Sequence, residues 1–579
     1  MLPKYDLEEH GMVLGHPSAL FTLFFTEMWE RFSYYGMRAI LVLFLTSAMI
    51  DGGWAWSRAE ALSLYGTYTS LVYLTPILGG FLADKYMGYR NAVALGALVM
   101  TLGHASMAFE TPMTLYIGIG CLIIGNGFFK PNITSIISNI YADYPEKKDG
   151  AYTIFYMGVN AGAFLGIMLC GYLGEKIGWG YGFGLAGIFM FLGMLQFWFG
   201  QGIFGEIGKK PNPETDEAVQ LKAGERLNPF TTLDKILMAI AAVLGIAWVI
   251  NDPVSTIGGG GLFNFNIGSL DGATAVILIA VVSFFILLFS RIGRYDVITS
   301  DRMIAVGIFA FFTVFFWAAF EQAGGSMTIF ASDYTDRSLE GGWAMGFKIF
   351  NTLLTIIPLA IITYVLWLLF QQTFEKYSLS NIILGISFLM IWGVVLWMIQ
   401  REFSQTGTEV QASWFSILNS FFIITCAPFF SRWWESKYNP SAAVKYALGL
   451  ILLGIGFAAL AFGAMSIPQG AAVAAVSMAW LVIAYFFHTM GELCLSPVGL
   501  SYVSKLVPAR MIAFMFGIWY LAIAIGNKTA GTLGGMIDQI TSEYSLTTFF
   551  LIFTLIPIGA GVILILLNPL IKKLMHGIR

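Results

Sequence analysis

Long apolar stretches, separated by short polar segments, recur from one end of the chain to the other. Each stretch has about 20 residues or more, the length that a helix needs to cross the hydrocarbon core of a bilayer. The pattern therefore predicts sixteen membrane-spanning helices. Their approximate ranges are 18–48, 60–83, 91–109, 112–142, 150–174, 181–203, 233–251, 272–290, 302–331, 344–370, 380–400, 412–436, 443–465, 472–498, 511–535 and 545–570.

The composition agrees with a polytopic membrane protein. Of the 579 residues, 57% are hydrophobic and 11% are charged, whereas roughly a quarter of the residues in an average soluble domain are charged. The formal net charge is −3, and no basic stretch is interleaved with aromatic residues. The sequence therefore indicates no nucleic-acid partner. The polar segment before the first apolar stretch lacks the features of a signal peptide, so this stretch is expected to remain as a span.

Cysteine and histidine give no sign of a disulfide framework or a metal site. The four cysteines lie in apolar stretches and are expected to be small buried hydrophobic residues. The five histidines are scattered singly, and the one suggestive spacing places His488 four residues before Glu492. One histidine and one acid do not make a metal site, and no sensor domain supports a receptor. A membrane enzyme or receptor is therefore the less favoured interpretation.

The distribution of basic residues predicts the orientation of the chain. When the loops between the sixteen spans are sorted alternately to two sides, most of the 31 Lys and Arg residues fall on the side of the amino terminus. Basic residues are concentrated in cytoplasmic loops. Both termini are therefore predicted to be cytoplasmic.

The first span carries four charged residues at positions where charge is costly. Glu27, Glu30, Arg31, Tyr34 and Arg38 fall on a single stripe of the predicted helix. Each ionised side chain in mid-membrane costs about 2.5–3.5 kcal/mol, so the stripe is expected to face protein or water rather than lipid. Such a stripe indicates a functional site, and the alternative is a structural ladder of ion pairs between buried helices.

Further charges lie inside later spans. Lys130 has long apolar flanks on both sides, which disfavours snorkelling to the interface. Glu321 and Glu492 are isolated acids, whose alternative interpretation is a protonated or hydrogen-bonded structural role. With Lys528 and the first span they give four acidic and four basic groups. Pairs that break and reform between two halves are what alternating access requires, and a carboxylate in such a pair can also titrate.

Asp84 ends the second span within a loop that is rich in glycine and basic residues, 79–90. Glycine permits close helix approach, and an acid beside Lys85 and Arg90 can clamp two helices together. Such a clamp would be both the structural role and the gating role of Asp84.

Several conspicuous motifs are spread along both halves of the chain. They are Glu27-x-x-Glu30-Arg31-Phe32-x-Tyr34-Tyr35-Gly36, the loop 79–90, Phe129-Lys130-Pro131-Asn132-Ile133, Phe155-Tyr156-x-x-x-Asn160-x-Gly162, Phe316-Trp317-x-x-Phe320-Glu321-Gln322, Ser413-Trp414-Phe415-x-x-x-Asn419, Gly491-Glu492-x-x-x-Ser496-Pro497 and Gly517-x-Trp519. Together these motifs resemble those of the proton-dependent oligopeptide transporter (POT/PTR) family of the major facilitator superfamily.

The resemblance implies an all-α polytopic membrane protein with the major facilitator fold. Two six-helix bundles are expected, with extra helices inserted between the halves and after the seventh core helix. The expected domains are a cytoplasmic tail 1–17, a bundle 18–203, a linker with two extra helices 204–301, a second bundle 302–570 that contains an inserted helix pair near 344–400, and a cytoplasmic tail 571–579.

The resemblance also implies a function and a set of site residues. The expected function is a proton-coupled symporter of the cell membrane that imports di- and tripeptides by alternating access, without a cofactor or metal and with protons as the coupling ion. Glu27, Glu30 and Arg31 are expected to couple protons. A peptide site is expected to contain Arg31, Tyr34, Tyr73, Lys130, Asn160, Trp317, Asn419, Glu492 and Trp519. Gating is expected from Arg38 with Glu321, from Lys130 with Glu492, and from Asp84.

Three departures from the family pattern limit this transfer of roles. Gly66 stands where some members have a histidine, so proton coupling must proceed without that imidazole. The inserted pair near 344–400 has no assigned role. Lys528 matches no family role either, and its expected behaviour is to snorkel outward. An alternative cargo also stays open, because relatives of this family move anions and other small metabolites.

Overall fold

The computed structural model describes residues 11–142, 144, 147–210, 228–507 and 512–578. Each predicted span corresponds to one long helix in these residues. The long helices are α1 Ser18–Thr46, α2 Arg58–Leu82, α3 Tyr89–Met107, α4 Pro112–Ile140, α5 Lys148–Lys176, α6 Trp179–Gly200, α7 Thr232–Gly258, α8 Gly272–Ile292, α9 Val297–Phe320, α10 Gly341–Thr373, α11 Ser378–Phe403, α12 Ile417–Glu435, α13 Ala442–Ala464, α14 Ala479–Leu506, α15 Ile512–Gly535 and α16 Leu546–Leu574.

The remaining regular structure is short. Two-residue strands pair antiparallel in Met12–Val13 with His16–Pro17, in Asn266–Ile267 with Leu270–Asp271, and in Ser338–Leu339 with Thr408–Glu409. Other short strands are Thr335–Asp336 and Val476–Ser477, and the short helical segments are Met49–Asp51, Ala83–Met87, Gln201–Phe204, Glu321–Gly324, Ser326–Ile329, Phe330–Tyr334, Ala412–Ser416 and Ile537–Glu543. Residues 1–10 of the predicted tail and 211–227 of the predicted linker lie outside the described residues.

The helices are those of a multi-pass membrane protein. In the described part of the chain, 12 helical segments are long and apolar enough to cross a membrane. Helix α1 is as long as a span requires but is interrupted by charge, and it carries Glu27, Glu30, Arg31 and Arg38. The predicted all-helical polytopic class is therefore confirmed.

The described residues divide into two compact units. The first unit takes in those of Met1–Ala55, Leu74–Asp216 and Thr335–Phe421, and the second takes in those of Trp56–Tyr73, Glu217–Tyr334 and Phe422–Arg579. Helix α2 thus contributes residues to both units. The inserted helices α10 and α11 belong to the first unit, whereas α7 and α8 belong to the second.

In the first unit, glycine allows α5 to approach α1 closely. A Cβ atom at Gly162 would collide with the carbonyl oxygen of Met28, and one at Gly166 would collide with that of Phe32. Small residues at helix contacts let two backbones come together in a membrane protein. This contact fixes the stretch of α1 that carries the charged stripe.

The inserted helix α11 packs against α1 and α6 of the same unit. The ring of Phe388 makes edge-to-face contacts with Phe25 and Trp29, each at 5.6 Å between ring centroids. Ser380 donates a hydrogen bond to the carbonyl oxygen of Gln196 at 2.8 Å. Helix α11 of the inserted pair, whose place the sequence left open, therefore covers one side of α1.

In the second unit, α7 and α8 are joined by a buried ion cluster. Arg291 and Arg294 both contact the carboxylate of Asp234, with Nη1–Oδ2 distances of 3.2 Å and 2.7 Å. The guanidinium of Arg291 also lies over the ring of Phe230 at 3.8 Å and over that of Phe514 at 5.5 Å. Phe514 belongs to α15, so this cluster attaches one end of the α7–α8 hairpin to a core helix.

Candidate functional site

The charged stripe of α1 forms a compact buried cluster. Nε of Arg31 lies 2.8 Å from Oε1 of Glu27 and 2.6 Å from Oε2 of Glu30. Glu27, Glu30, Arg31 and Tyr34 are all buried, which confirms the prediction that this stripe avoids lipid. Helical spacing of four residues places Glu27 directly under Arg31. One guanidinium therefore serves two carboxylates.

Helix α4 completes the surroundings of this cluster. Asn126 donates a hydrogen bond from Nδ2 to Oε1 of Glu30 at 3.3 Å. Lys130, one helical turn further along, is close enough for its ammonium group to interact electrostatically with Glu27, Glu30 and Arg31. The cluster thus combines two acids and two bases from two helices of the first unit. Asn126 was noticeable in the sequence as a polar residue four positions before Lys130.

The cluster keeps unused hydrogen-bonding capacity. Among the described residues, Nη2 of Arg31 and Oε2 of Glu27 are buried and have no hydrogen-bond partner. Buried polar atoms are normally satisfied, so such atoms mark a place where a further group can bind. A guanidinium nitrogen suits a carboxylate, and a carboxylate oxygen suits a proton or an N–H donor.

The other predicted residues of the first unit lie on α1, α5 and α12 and in the loop after α2. The guanidinium carbon of Arg31 is 5.4 Å from the ring centroid of Tyr34, and that of Arg38 is 5.9 Å from the ring of Tyr35. Asn160 on α5 is buried and donates from Nδ2 to the carbonyl oxygen of Tyr156 at 2.9 Å. Asn419 is half-buried in the first turn of α12.

Asp84 lies on an exposed helical turn that follows α2. It accepts a hydrogen bond from the side chain of Tyr89. Arg90 is buried and donates to the carbonyl oxygens of Gly205 and Ile207. In this loop it is therefore Arg90 that ties α3 to the segment after α6.

The predicted aromatic residues of the second unit form two groups. The ring of Tyr73 lies 6.2 Å from that of Trp317 and 6.5 Å from that of Tyr520. The ring of Trp519 is buried and lies 6.2 Å from that of Tyr446 in an edge-to-face contact. Sequence reasoning missed Tyr520 and Tyr446, although Tyr520 is adjacent to a predicted site residue.

Both predicted acids of the second unit lie on helical segments. Glu321 is buried at the end of α9, and Tyr65 donates a hydrogen bond to its Oε2 at 3.4 Å. Glu492 is half-buried in α14. The pairs Arg38 with Glu321 and Lys130 with Glu492 stay predictions.

The prediction that Lys528 snorkels outward is wrong. Its side chain is 4% exposed and forms an ion pair with Oδ2 of Asp252 on the inserted helix α7. Nζ of Lys528 also donates to Oγ1 of Thr67 on α2 at 2.9 Å. Because the ammonium group has a carboxylate partner inside the protein, the side chain need not extend to the membrane interface.

Gly66 lies where α2 crosses α15. A Cβ atom at Gly66 would lie 2.7 Å from the Cα atom of Gly531. The contact leaves no room for any side chain, so the absence of a histidine at this position has a steric reason.

Paired ionisable groups inside membrane-spanning helices are typical of secondary transporters. Among the described residues, no three His, Cys, Asp or Glu side chains come together as a metal site would require. The fold and the buried clusters together define the class of membrane carriers.

Comparison with known proteins assigns the family. The sequence model described as POT family matches residues 90–409 and 351–550. The chain is 30% identical to the peptide transporter YePEPT of Yersinia enterocolitica, covering 97% of this chain and 96% of the relative. It is 28% identical to the di-/tripeptide transporter of Lactococcus lactis subsp. cremoris, covering 98% of both chains. The chain belongs to the POT family, and it is a transporter rather than an enzyme.

The fold agrees with a solved structure of that family. The crystal structure of a peptide transporter POT in complex with sulfate matches with a TM-score of 0.69 at 28% identity, covering 98% of both chains. The major facilitator fold expected from the sequence is therefore confirmed.

Proposed function

We propose that this protein is a proton-coupled symporter that imports di- and tripeptides by alternating access. The observation that carries the proposal is the buried guanidinium of Arg31, which contacts Glu27 and Glu30 at once while its Nη2 atom has no hydrogen-bond partner among the described residues. The peptide-transporting relatives, aligned over nearly the whole chain, support it.

The chemistry of a zwitterionic peptide matches the residues available. Its carboxylate needs a cation, for which we propose Arg31 and Lys130, and its amino group needs an anion, for which we propose Glu492. Asn160 and Asn419 offer amides to the peptide backbone. Aromatic walls tolerate varied side chains, because they contribute area without requiring a specific partner. The proposed walls are Tyr34, Tyr73, Trp317 and Trp519.

Proton coupling follows from competition for Arg31. When a peptide carboxylate binds this guanidinium, Glu27 or Glu30 loses its cation and gains affinity for a proton. Release of the peptide restores the ion pair and expels the proton. Peptide and proton are thereby linked without a cofactor, and the coupling ion is H⁺.

Two ion pairs and one loop are proposed as gates. Arg38 with Glu321 would close one side of the binding site, and Lys130 with Glu492 would open when a peptide competes for both partners. Asp84 would act in the loop between α2 and α3. In the proposed topology both termini are cytoplasmic and the protein lies in the cell membrane, in agreement with the excess of basic residues in the loops on that side.

The proposal is tested by uptake of labelled dialanine into proteoliposomes that contain the purified protein. An inward proton gradient is expected to drive accumulation, and its dissipation is expected to abolish it. Unlabelled dipeptides should compete, whereas nitrate and simple organic acids should not. If nitrate or an organic acid competes and dipeptides do not, the cargo is an anion, as in the alternative left open by the sequence.

A further inference from the structure

A ring of buried polar contacts joins three helices of the second unit. Ser63 on α2 donates to Oδ2 of Asp252 on α7 at 2.7 Å. Lys528 on α15 pairs with the same oxygen and donates to Thr67 on α2. Thr67 in turn donates to the carbonyl oxygen of Val249 on α7 at 3.2 Å. Each helix therefore contacts both of the others.

The ring lies beside a close glycine contact between α2 and α15. Gly66 and Gly531 meet there with no room for a Cβ atom, and Asn527 donates to the carbonyl oxygen of Thr69 at 3.1 Å. Thr67 is adjacent to Gly66, and Lys528 lies one helical turn before Gly531. The polar ring and the glycine contact therefore act on the same crossing.

Helix α7 is an insertion relative to the two six-helix bundles, yet it supplies the acid on which the ring depends. The α7–α8 hairpin already contacts α15 at its other end, where Arg291 lies over Phe514. Asp252 adds a contact to α2. The hairpin is therefore placed to hold α2 against α15.

We propose that Ser63, Thr67, Asp252 and Lys528 form a latch by which the inserted helix α7 keeps the crossing of α2 and α15 closed. Helix α2 contributes residues to both compact units. During alternating access its contacts within one of the two units must therefore separate. The latch controls how often the contacts of α2 within the second unit separate. Its role in transport rests on the function proposed above, whereas its effect on the crossing does not.

The burial of the two charged partners predicts an unequal response to their removal. Lys528 is 4% exposed and Asp252 is 29% exposed. Neutralising Asp252 leaves a buried ammonium without a counter-charge, and opening the crossing relieves that cost. Neutralising Lys528 leaves a carboxylate that water already reaches. Asp252→Asn should therefore favour the open crossing more strongly than Lys528→Met.

The test is a spin-label distance measurement on the full chain in proteoliposomes. Labels are attached at Ser57→Cys, before α2, and at Ser542→Cys, beyond α15, both of which are exposed. The half-exposed Cys121 and Cys426 are replaced by serine. The measured quantity is the ratio of molecules with a long distance between the two labels to molecules with a short one. Asp252→Asn is expected to raise this ratio by about tenfold, and Lys528→Met is expected to raise it by less. Ser63→Ala, which keeps both charges, is expected to raise it by roughly two- to threefold.

The double variant decides whether the two charges act as a pair. Asp252→Asn/Lys528→Met is expected to match Lys528→Met alone, because no buried charge is left. Asp271→Asn is the matched control, since it makes the same replacement at the exposed N-cap of α8. It is expected to leave the ratio unchanged.

Unchanged distances in both single variants would overturn the latch, and so would a double variant whose effect is the sum of the two single effects. Dialanine counterflow on the same proteoliposomes separates this proposal from the proposed function. If the wild type moves no dialanine, the function fails while the distances still test the latch.

Discussion

The Nε atom of Arg31 lies 2.6 Å from Oε2 of Glu30, although the two residues are neighbours in the sequence. Consecutive side chains of a helix point about 100° apart, so this contact requires both side chains to bend towards each other. They do so in a buried environment in which Glu27 competes for the same guanidinium. The cluster can therefore exchange partners without a large movement of the backbone.

Arg31→Met is expected to lower the stability of the protein by about 3–5 kcal/mol, because it leaves two buried carboxylates with Lys130 as their one nearby base. Thermal unfolding in detergent measures the effect. The double variant Glu27→Gln/Arg31→Met should recover most of the loss, since it leaves one acid, Glu30, with one base, Lys130.

Lys209→Met serves as the control for that series. Lys209 pairs with Glu206 in an exposed loop, where the two side chains are 54% and 69% exposed. Exposed ion pairs contribute little to stability, so this variant should unfold almost as the wild type does. A loss from Lys209→Met as large as that from Arg31→Met would contradict the account of the buried cluster.

Gly66→Ala is expected to destabilise the protein by about 1–3 kcal/mol, because the added methyl group must push α2 away from α15. Gly120→Ala in α4 is a matched control, since no atom lies within 4 Å of a Cβ atom built there. It should be neutral or stabilising by up to about 1 kcal/mol. Equal behaviour of the two variants in thermal unfolding would show that the crossing is not tightly packed.

The short hairpin before α1 is expected to loosen in acid. Nδ1 of His16 lies 2.8 Å from the hydroxyl of Tyr141. Burial, and then the charge of Lys147, lower the pKa of His16 below its ordinary value of 6.5. A lowered pKa favours the neutral imidazole in the folded state. Its contribution to stability is therefore complete above pH 6.5 and is lost as the pH falls through the lowered pKa.

Limited proteolysis of the amino-terminal segment, carried out between about pH 7.5 and about pH 5, measures this loosening. Cleavage should increase as the pH falls in the wild type. His16→Gln should remove the pH dependence of cleavage, and an unaltered dependence in that variant would assign it to another group.

Hydropathy was sufficient to locate the helices, because burying a long apolar stretch in a bilayer leaves few alternatives. The buried face of α1 could be predicted for the same reason, since the cost of four charges in lipid is large. Pairing between distant helices could not be predicted, because hydropathy says nothing about which helices touch.

Asp252 shows how the predicted end of one helix changes the interpretation of a buried charge. The predicted seventh span ends at residue 251, where an acid and Pro253 follow, but α7 continues to Gly258 with both inside it. A span that ends at residue 251 excludes Asp252 from the charges within spans and gives Lys528 no partner there. A helix boundary that is wrong by a few residues is a normal error of sequence analysis.

Uptake of labelled dialanine by Glu27→Gln tests the central claim most directly. Glutamine keeps the shape of the side chain but cannot carry a proton, so gradient-driven uptake should be lost while counterflow, which needs no gradient, should survive. Glu206→Gln, on the exposed loop, should retain both activities. Gradient-driven accumulation by Glu27→Gln at the wild-type level would contradict the account, because Glu27 would then have no part in coupling the proton to the peptide.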